Sequence, residues 1–246
     1  MDVTLALVVL ALGFGGFVKG VVGIGLPLVA TPIVANLTDP RTAVVVLAVP
    51  IGVTNLWVVF GAGMKWAEFR RVAGVLCGVI LGTYGGANLL AVLDVRKLSL
   101  YVGVIVVVFV SLQVFRIHLA IGPRLERFVG LPFGVGAGVL GGSTSVFGPL
   151  LAMYLYGIGL TKMAFVVTIS LLFVVGNVGQ ILGFSYLGLY TGQIVIYSVA
   201  FTLPALLGLW LGMRLQGRID ARLFNRAVLV VMLASALSLI WRGLQP

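Results

Sequence analysis

Two stretches of this chain combine glycine with the few polar residues that an apolar sequence retains, and a proline follows each. The first, GGFVKGVVGIGLP, holds Lys19, Gly20, Gly23, Gly25 and Pro27; the second, GVGAGVLGGSTSVFGP, holds Gly141, Gly142, Ser143, Thr144, Ser145 and Gly148. Glycine has no Cβ, so a ligand can approach the backbone closely. Proline suits the first turn of a helix that restarts after a break. Such a helix start carries N–H groups without intrahelical acceptors and the positive end of the peptide dipoles, which together favour an anion. Ser143, Thr144 and Ser145 add hydroxyl donors, and Lys19 adds a positive charge far in sequence from any loop charge. The expected chemistry is reversible anion recognition. For Lys19 the competing reading is a side chain that runs along its helix to the membrane surface. Asn55 and Asn177, in apolar surroundings, supply either further ligand contacts or hydrogen bonds between helices. Gln180, one turn beyond Asn177, is a further candidate.

The residues needed for bond-making chemistry are lacking. The acids are Asp2, Asp39, Glu68, Asp94, Glu126 and Asp220, and each reads as a loop or terminal residue. Metalloprotease, nucleophile-elbow, phosphate-loop and paired-carboxylate patterns do not occur, so the expectation is no catalytic activity, no metal and no cofactor. With no carboxylate in mid-span, proton coupling would fall to Lys19, a tyrosine or the anion itself. The single Cys77 excludes an intramolecular disulfide and reads as a small apolar packing residue. His118 reads as a solvated loop residue.

The elements that must position these residues are membrane helices. Of 246 residues, 61% are hydrophobic and 9% are charged, with a mean hydropathy of +1.22, against about 25% charged in soluble domains. Residues 43–62, 72–93, 98–115 and 163–213 contain no Asp, Glu, Lys, Arg or His. A spanning helix needs about 20 apolar residues, and barrel strands would alternate, so the fold class is an all-α integral membrane protein. The net charge of +10 reads as loop charge that sets orientation in the bilayer, with lipid and a small anion as partners and no nucleic acid. The oligomeric state stays open, a homo-oligomer included. The first residues lack a basic n-region and read as part of the mature fold.

An internal repeat organises the chain. Gly16, Gly20, Pro27 and Asn55 recur as Gly138, Gly142, Pro149 and Asn177 at an offset of 122, and Gly82, Gly86, Asp94 and Arg96 recur as Gly208, Gly212, Asp220 and Arg222 at 126. An insertion of four residues near Tyr186–Thr191 reconciles the offsets. The expected division is a first repeat over 1–118, a joint over 119–127 and a second repeat over 128–246. Each repeat opens with a glycine-broken segment too long for one span and too short for two, read as a re-entrant hairpin with limbs of about 15 residues. If these segments span once, basic residues divide eight to seven between the two sides; if they are hairpins, the division is eleven to four. The positive-inside rule favours hairpins, with the Arg116–Arg127 joint cytoplasmic and both termini outside. A hairpin plus three crossings makes the repeats inverted, with a site expected near the midplane between the two broken hairpins.

At these motifs the sequence resembles the TauE/SafE sulfite exporter family, also called the 4-toluene sulfonate uptake permease family. The resemblance is carried by GFGGFVKGVVGIGLPLVATP and GVGAGVLGGSTSVFGPLLAMYL, and by the downstream pairs LGTYGGANL…LDVRKL and LGLWLGMRL…IDARLF. It implies a multi-pass secondary transporter of the bacterial inner membrane for sulfur-containing anions such as sulfite and sulfonates. Lys19 and Val21–Val22 stand where the family often has paired glycines. An anion channel and a non-transporting membrane partner or sensor are the alternative readings.

Overall fold

The computed structural model describes residues 3–23, 25–62, 66–115 and 121–245. Asp2, Lys65 and His118 lie outside the described residues, as does the 116–120 part of the expected joint. The described elements are α1 (Val3–Val22), α2 (Leu26–Leu37), α3 (Pro40–Ala62), α4 (Trp66–Val92), α5 (Val95–Phe115), α6 (Pro123–Thr144), α7 (Gly148–Gly157), α8 (Lys162–Tyr186), α9 (Gly192–Leu215) and α10 (Ala221–Leu244). All of them are helical, and seven (α1, α3, α4, α5, α8, α9 and α10) are long and apolar enough to cross a membrane. Apolar side chains such as Phe60, Ile80, Leu182 and Val230 face outward, as expected where lipid replaces water as the solvent. Trp57, Tyr186 and Trp241 are exposed near helix ends, where aromatic side chains suit the interface.

Short polar residues start α3, α5, α8 and α9. Asp39 Oδ1 accepts the Thr42 N–H at 3.0 Å before α3, and Asp94 Oδ1 accepts the Lys97 N–H at 2.9 Å before α5. Thr161 and Thr191 cap α8 and α9 through Ala164 and Ile194, each at 3.4 Å. Each cap satisfies an N–H that the helix leaves without a partner. The Lys97 backbone N–H, with the Lys97 side chain behind it, holds the Asp94 carboxyl below its usual range. The loop position expected of Asp39 and Asp94 thus has a structural cause.

The two broken segments are helical hairpins with unequal limbs. Their limbs are 20 and 12 residues long in α1 and α2, and 22 and 10 in α6 and α7, which differs from the equal limbs expected. The reason lies in the glycines. Most of them do not interrupt their helix; they let another backbone come close. Among the described residues φ turns positive at Gly23 (91°) and Gly25 (141°) in the first segment and at Ser145 (60°) in the second, where each first limb ends. The second limb then runs back along the first. A Cβ on Gly15 would lie 3.2 Å from Leu26 O and 3.3 Å from Ala30 Cβ; the rings of Phe133 and Tyr154 are 5.7 Å apart across α6 and α7.

The helices form two compact units. The first comprises 1–50, 92–116 and 190–246, and the second 51–91 and 117–189. Both units draw on both sequence repeats, and α3 passes from one to the other at Pro50. In the first unit α1 packs on α9: a Cβ on Gly20 would sit 2.7 Å from Gly212 Cα, and one on Gly16 or Gly208 would overlap the facing backbone. In the second unit α6 packs on α4 in the same way, with a Cβ on Gly138 falling 2.8 Å from Gly82 Cα and one on Gly86 falling 2.8 Å from Gly142 Cα. Within the first unit Gly20 meets Gly212, while Gly16 faces Ala205 and Gly208 faces Gly13; within the second Gly138 meets Gly82 and Gly142 meets Gly86.

Polar fasteners hold the hairpin ends. In the first unit Asn36 donates to Ser235 O at 2.9 Å, accepts from Ser238 Oγ at 2.8 Å, and offers its carbonyl to Arg242 at 2.7 Å, tying α2 to α10. In the second, Arg71 makes a two-pronged pair with Glu126 at 3.0 and 2.9 Å and also donates to Ile158 O at 3.1 Å, joining α4, α6 and the end of α7.

Close backbone packing makes an added methyl costly where it meets main chain. Gly82→Ala is expected to lower stability by about 1–3 kcal/mol through overpacking. Gly61→Ala, where nothing lies within 4 Å of the new methyl, is expected to leave Tm unchanged or slightly raised. Thermal unfolding of both purified variants in one detergent checks the contrast.

Candidate functional site at the helix breaks

The first break lies in the first unit. Lys19 occupies the last turn of α1 and is 3% exposed, and its carbonyl accepts the Gly23 N–H at 2.7 Å. Gly20, beside it, is pressed against α9. Gly25 is the N-cap of α2 and brings no side-chain acceptor to the N–H groups of the first turn, while Pro27 sits within that turn. A Cβ on Gly25 would lie 2.9 Å from Val18 Cγ1, so both conformation and space require glycine there. The break thus joins a buried lysine to a helix start without a side-chain cap.

The second break lies in the second unit and is built differently. At the 122 offset, Gly141 stands for Lys19, Ser145 for Gly23 and Phe147 for Gly25. Ser143, Thr144 and Ser145 are all fully buried. Ser143 donates its O–H to Val139 O at 2.7 Å, with Leu140 O at 3.1 Å, and Thr144 donates to Leu140 O at 2.6 Å. Both hydroxyl protons therefore point back into α6, and the Thr144 oxygen accepts the Val146 N–H at 3.2 Å. The Ser145 N–H closes α6 on Gly141 O at 2.6 Å. α7 then starts at Gly148 with Pro149 in its first turn, again without a side-chain cap.

Helix α8 supplies the flank of this break. Gln180, fully buried, donates from Nε2 to Gly141 O at 2.9 Å, to Ser145 Oγ at 3.2 Å and more weakly to Gly142 O at 3.4 Å. Asn177 donates to Phe173 O at 2.7 Å, and Asn55 on α3 donates to Ile51 O at 2.8 Å. The matched asparagines thus make the same bond to the carbonyl one turn back, and Asn177 Cβ lies 3.3 Å from the position a Cβ on Gly52 would take. Gln180 Oε1 and Asn177 Oδ1 have no hydrogen-bond partner among the described residues.

The structure therefore gathers Gly141, Gly142, Ser145 and Gln180 at one break, and Lys19, Gly20, Gly23, Gly25 and Pro27 at the other. Asn55 belongs to the second unit, whereas the first-break residues of its own repeat belong to the first. Two residues escaped the sequence reading. Phe147 fills the second break: its ring occupies the space beside Gly141 and Gly176 and meets Phe173 edge-on at 5.4 Å. Thr83 is fully buried against Gly179 and Gly142 and leaves Oγ1 without a partner among the described residues. Its one sequence signal is a polar residue inside the glycine stripe of α4.

Because Phe147 is fitted to two glycines, Gly176→Ala is expected to destabilise the second unit by about 1–3 kcal/mol. Adding Phe147→Leu in the same chain should restore much of the loss, a coupling read from a double-mutant cycle of Tm values.

No curated protein and no solved structure matches the chain. A family model described as sulfite exporter TauE/SafE matches residues 8–239 of the 246, a span that takes in both broken hairpins and both glycine-packed helix pairs. The chain belongs to the TauE/SafE sulfite exporter family of membrane transporters.

Proposed function

We propose that this protein is a secondary transporter of a small sulfur-containing oxyanion or organosulfonate in the bacterial inner membrane, binding its substrate at the helix breaks near the bilayer midplane. The observation that carries the reading is the first break, where Lys19 is 3% exposed in the last turn of α1 and the next helix starts on Gly25 without a side-chain cap. A lysine placed in mid-membrane costs about 2.5–3.5 kcal/mol on insertion scales, and anion binding gives that cost a function. First-turn N–H groups of α2 add the positive end of a helix dipole. Recognition by one charge and fixed N–H dipoles suits a compact anion with several equivalent oxygens.

The same reading makes both hairpins re-entrant and the repeats inverted, with the joint cytoplasmic and the termini outside. Its support is the eleven-to-four division of basic residues. On a Cys77→Ala background, a membrane-impermeant thiol reagent applied to intact cells should label Gln245→Cys and spare Leu125→Cys; the reverse pattern rejects the inverted arrangement.

Lys19 gives the direct test of binding. Lys19→Met removes the charge while keeping much of the apolar length, so affinity for sulfite or a sulfonate should fall roughly ten- to a hundredfold, the worth of one charge-assisted contact. Lys19→Arg should keep part of it, since the charge survives in a different shape. Titration of each purified variant by thermal shift checks both, and parental affinity in Lys19→Met would leave binding to the backbone alone.

A further inference from the structure

The second break has two poles of opposite character. The α7 side offers N–H groups. The α6 side offers oxygen lone pairs: Gly141 O and Gly142 O at the negative end of the helix dipole, with Ser145 Oγ beside them. These three oxygens share one donor, the Gln180 carboxamide nitrogen, at 2.9, 3.4 and 3.2 Å. The Ser143 and Thr144 hydroxyl protons are turned back into α6, so they do not supply this pole. Gln180 is fully buried, and its Oε1 has no partner among the described residues, which is also true of Asn177 Oδ1 one turn earlier. An unpartnered carboxamide oxygen in an apolar interior is costly, and here it belongs to the side chain already aimed at the oxygen cluster.

We propose that the α6 pole of the second break binds a hard monovalent cation of the alkali class, with Gly141 O, Gly142 O, Ser145 Oγ and Gln180 Oε1 as ligands. A carboxamide carries its donor and its acceptor on opposite sides of one planar group. Turning it over exchanges the Nε2 that now fills the cluster for the Oε1 that a cation needs. The ligand type follows from the atoms. Neutral carbonyl, amide and hydroxyl oxygens suit a hard cation, and the lack of a carboxylate among them favours one charge over two. Carbonyl and amide oxygens are too weakly basic to hold a proton near neutral pH. Helix ends at a break in a membrane helix are suited to both signs of charge. A cation at the α6 pole and an anion at the α7 pole would attract each other across the break, coupling the two ions directly. The coupling rests on the transport reading above; cation binding itself does not.

The test is the Tm of the whole purified protein in detergent, titrated with LiCl, NaCl or KCl against N-methyl-D-glucamine chloride at constant ionic strength, with no sulfur anion added. One alkali cation should raise Tm saturably, by roughly 5–10 °C at about a hundredfold excess over its Kd. Ser145→Gly retains the left-handed backbone conformation and removes one ligand, so half-saturation should move to about tenfold higher salt. Gln180→Leu should abolish the response, and Gln180→Glu, which adds a charged oxygen, should bring half-saturation to lower salt. The same Tm in all four chlorides overturns the proposal, and so does parental half-saturation in both Ser145→Gly and Gln180→Glu. Because the titration omits the anion, a null result leaves the Lys19 measurement intact, and loss of anion binding in Lys19→Met leaves the cation response in place.

Discussion

A polypeptide that breaks its own helices within an apolar surrounding must place every freed N–H and C=O against protein or ligand. Much of this structure answers that constraint. The carbonyls freed at the end of α6 are met by the Ser145 N–H and by Gln180, and the carbonyl of Lys19 by the Gly23 N–H. What these contacts leave over is equally informative. The N-caps of α2 and α7 bring no side chain to their first turns, unlike α3, α5, α8 and α9, which start on aspartate or threonine. The starts of α2 and α7 share this lack of a side-chain cap with α6, whose N-cap is Gly122.

Holding a break in a fixed shape requires a rigid neighbour, and glycine provides it. With no side chain at Gly16, Gly20, Gly208 and Gly212, α1 and α9 meet backbone to backbone, and Gly82, Gly86, Gly138 and Gly142 do the same for α4 and α6. Without a hydrophobic drive between helices in lipid, close van der Waals packing of this type is the main source of helix association. Position and chemistry are thereby separated: the glycine seams hold the breaks, and the breaks are free to differ. They do differ, with a lysine in one where the other has glycine, and with Ser145 in one where the other has Gly23.

Much of this was legible in the sequence. The charge-free runs marked the membrane helices, the offsets of 122 and 126 found the glycines of both seams, and the ordered motifs pointed to the family. Other features were hidden for physical reasons. A repeat shows which residues are equivalent, not which residues touch, so the pairing of Gly16 with α9 and of Gly138 with α4 could not be read from it. Glycine has two uses in a helix, to break it or to let a neighbour approach, and sequence alone does not separate them; this misplaced the division of the hairpins into equal limbs. Hydroxyls can donate to a ligand or back to their own helix, and Ser143 and Thr144 take the second course for their protons. Gln180 could be noticed as a polar residue, but its contact with Gly141, 39 positions away, depends on a helix packing that no local pattern encodes.

The central claim is that the broken helices carry an anion across the membrane by a cycle that closes around it. Counterflow in proteoliposomes tests this most directly: vesicles are loaded with unlabelled sulfite or a sulfonate, and uptake of the labelled anion is followed after dilution. The account predicts a transient accumulation of label above equilibrium, with an initial rate that saturates as external anion rises. Uptake that grows in proportion to concentration without an overshoot would show an open pore instead, and no anion-dependent flux at all would contradict transport.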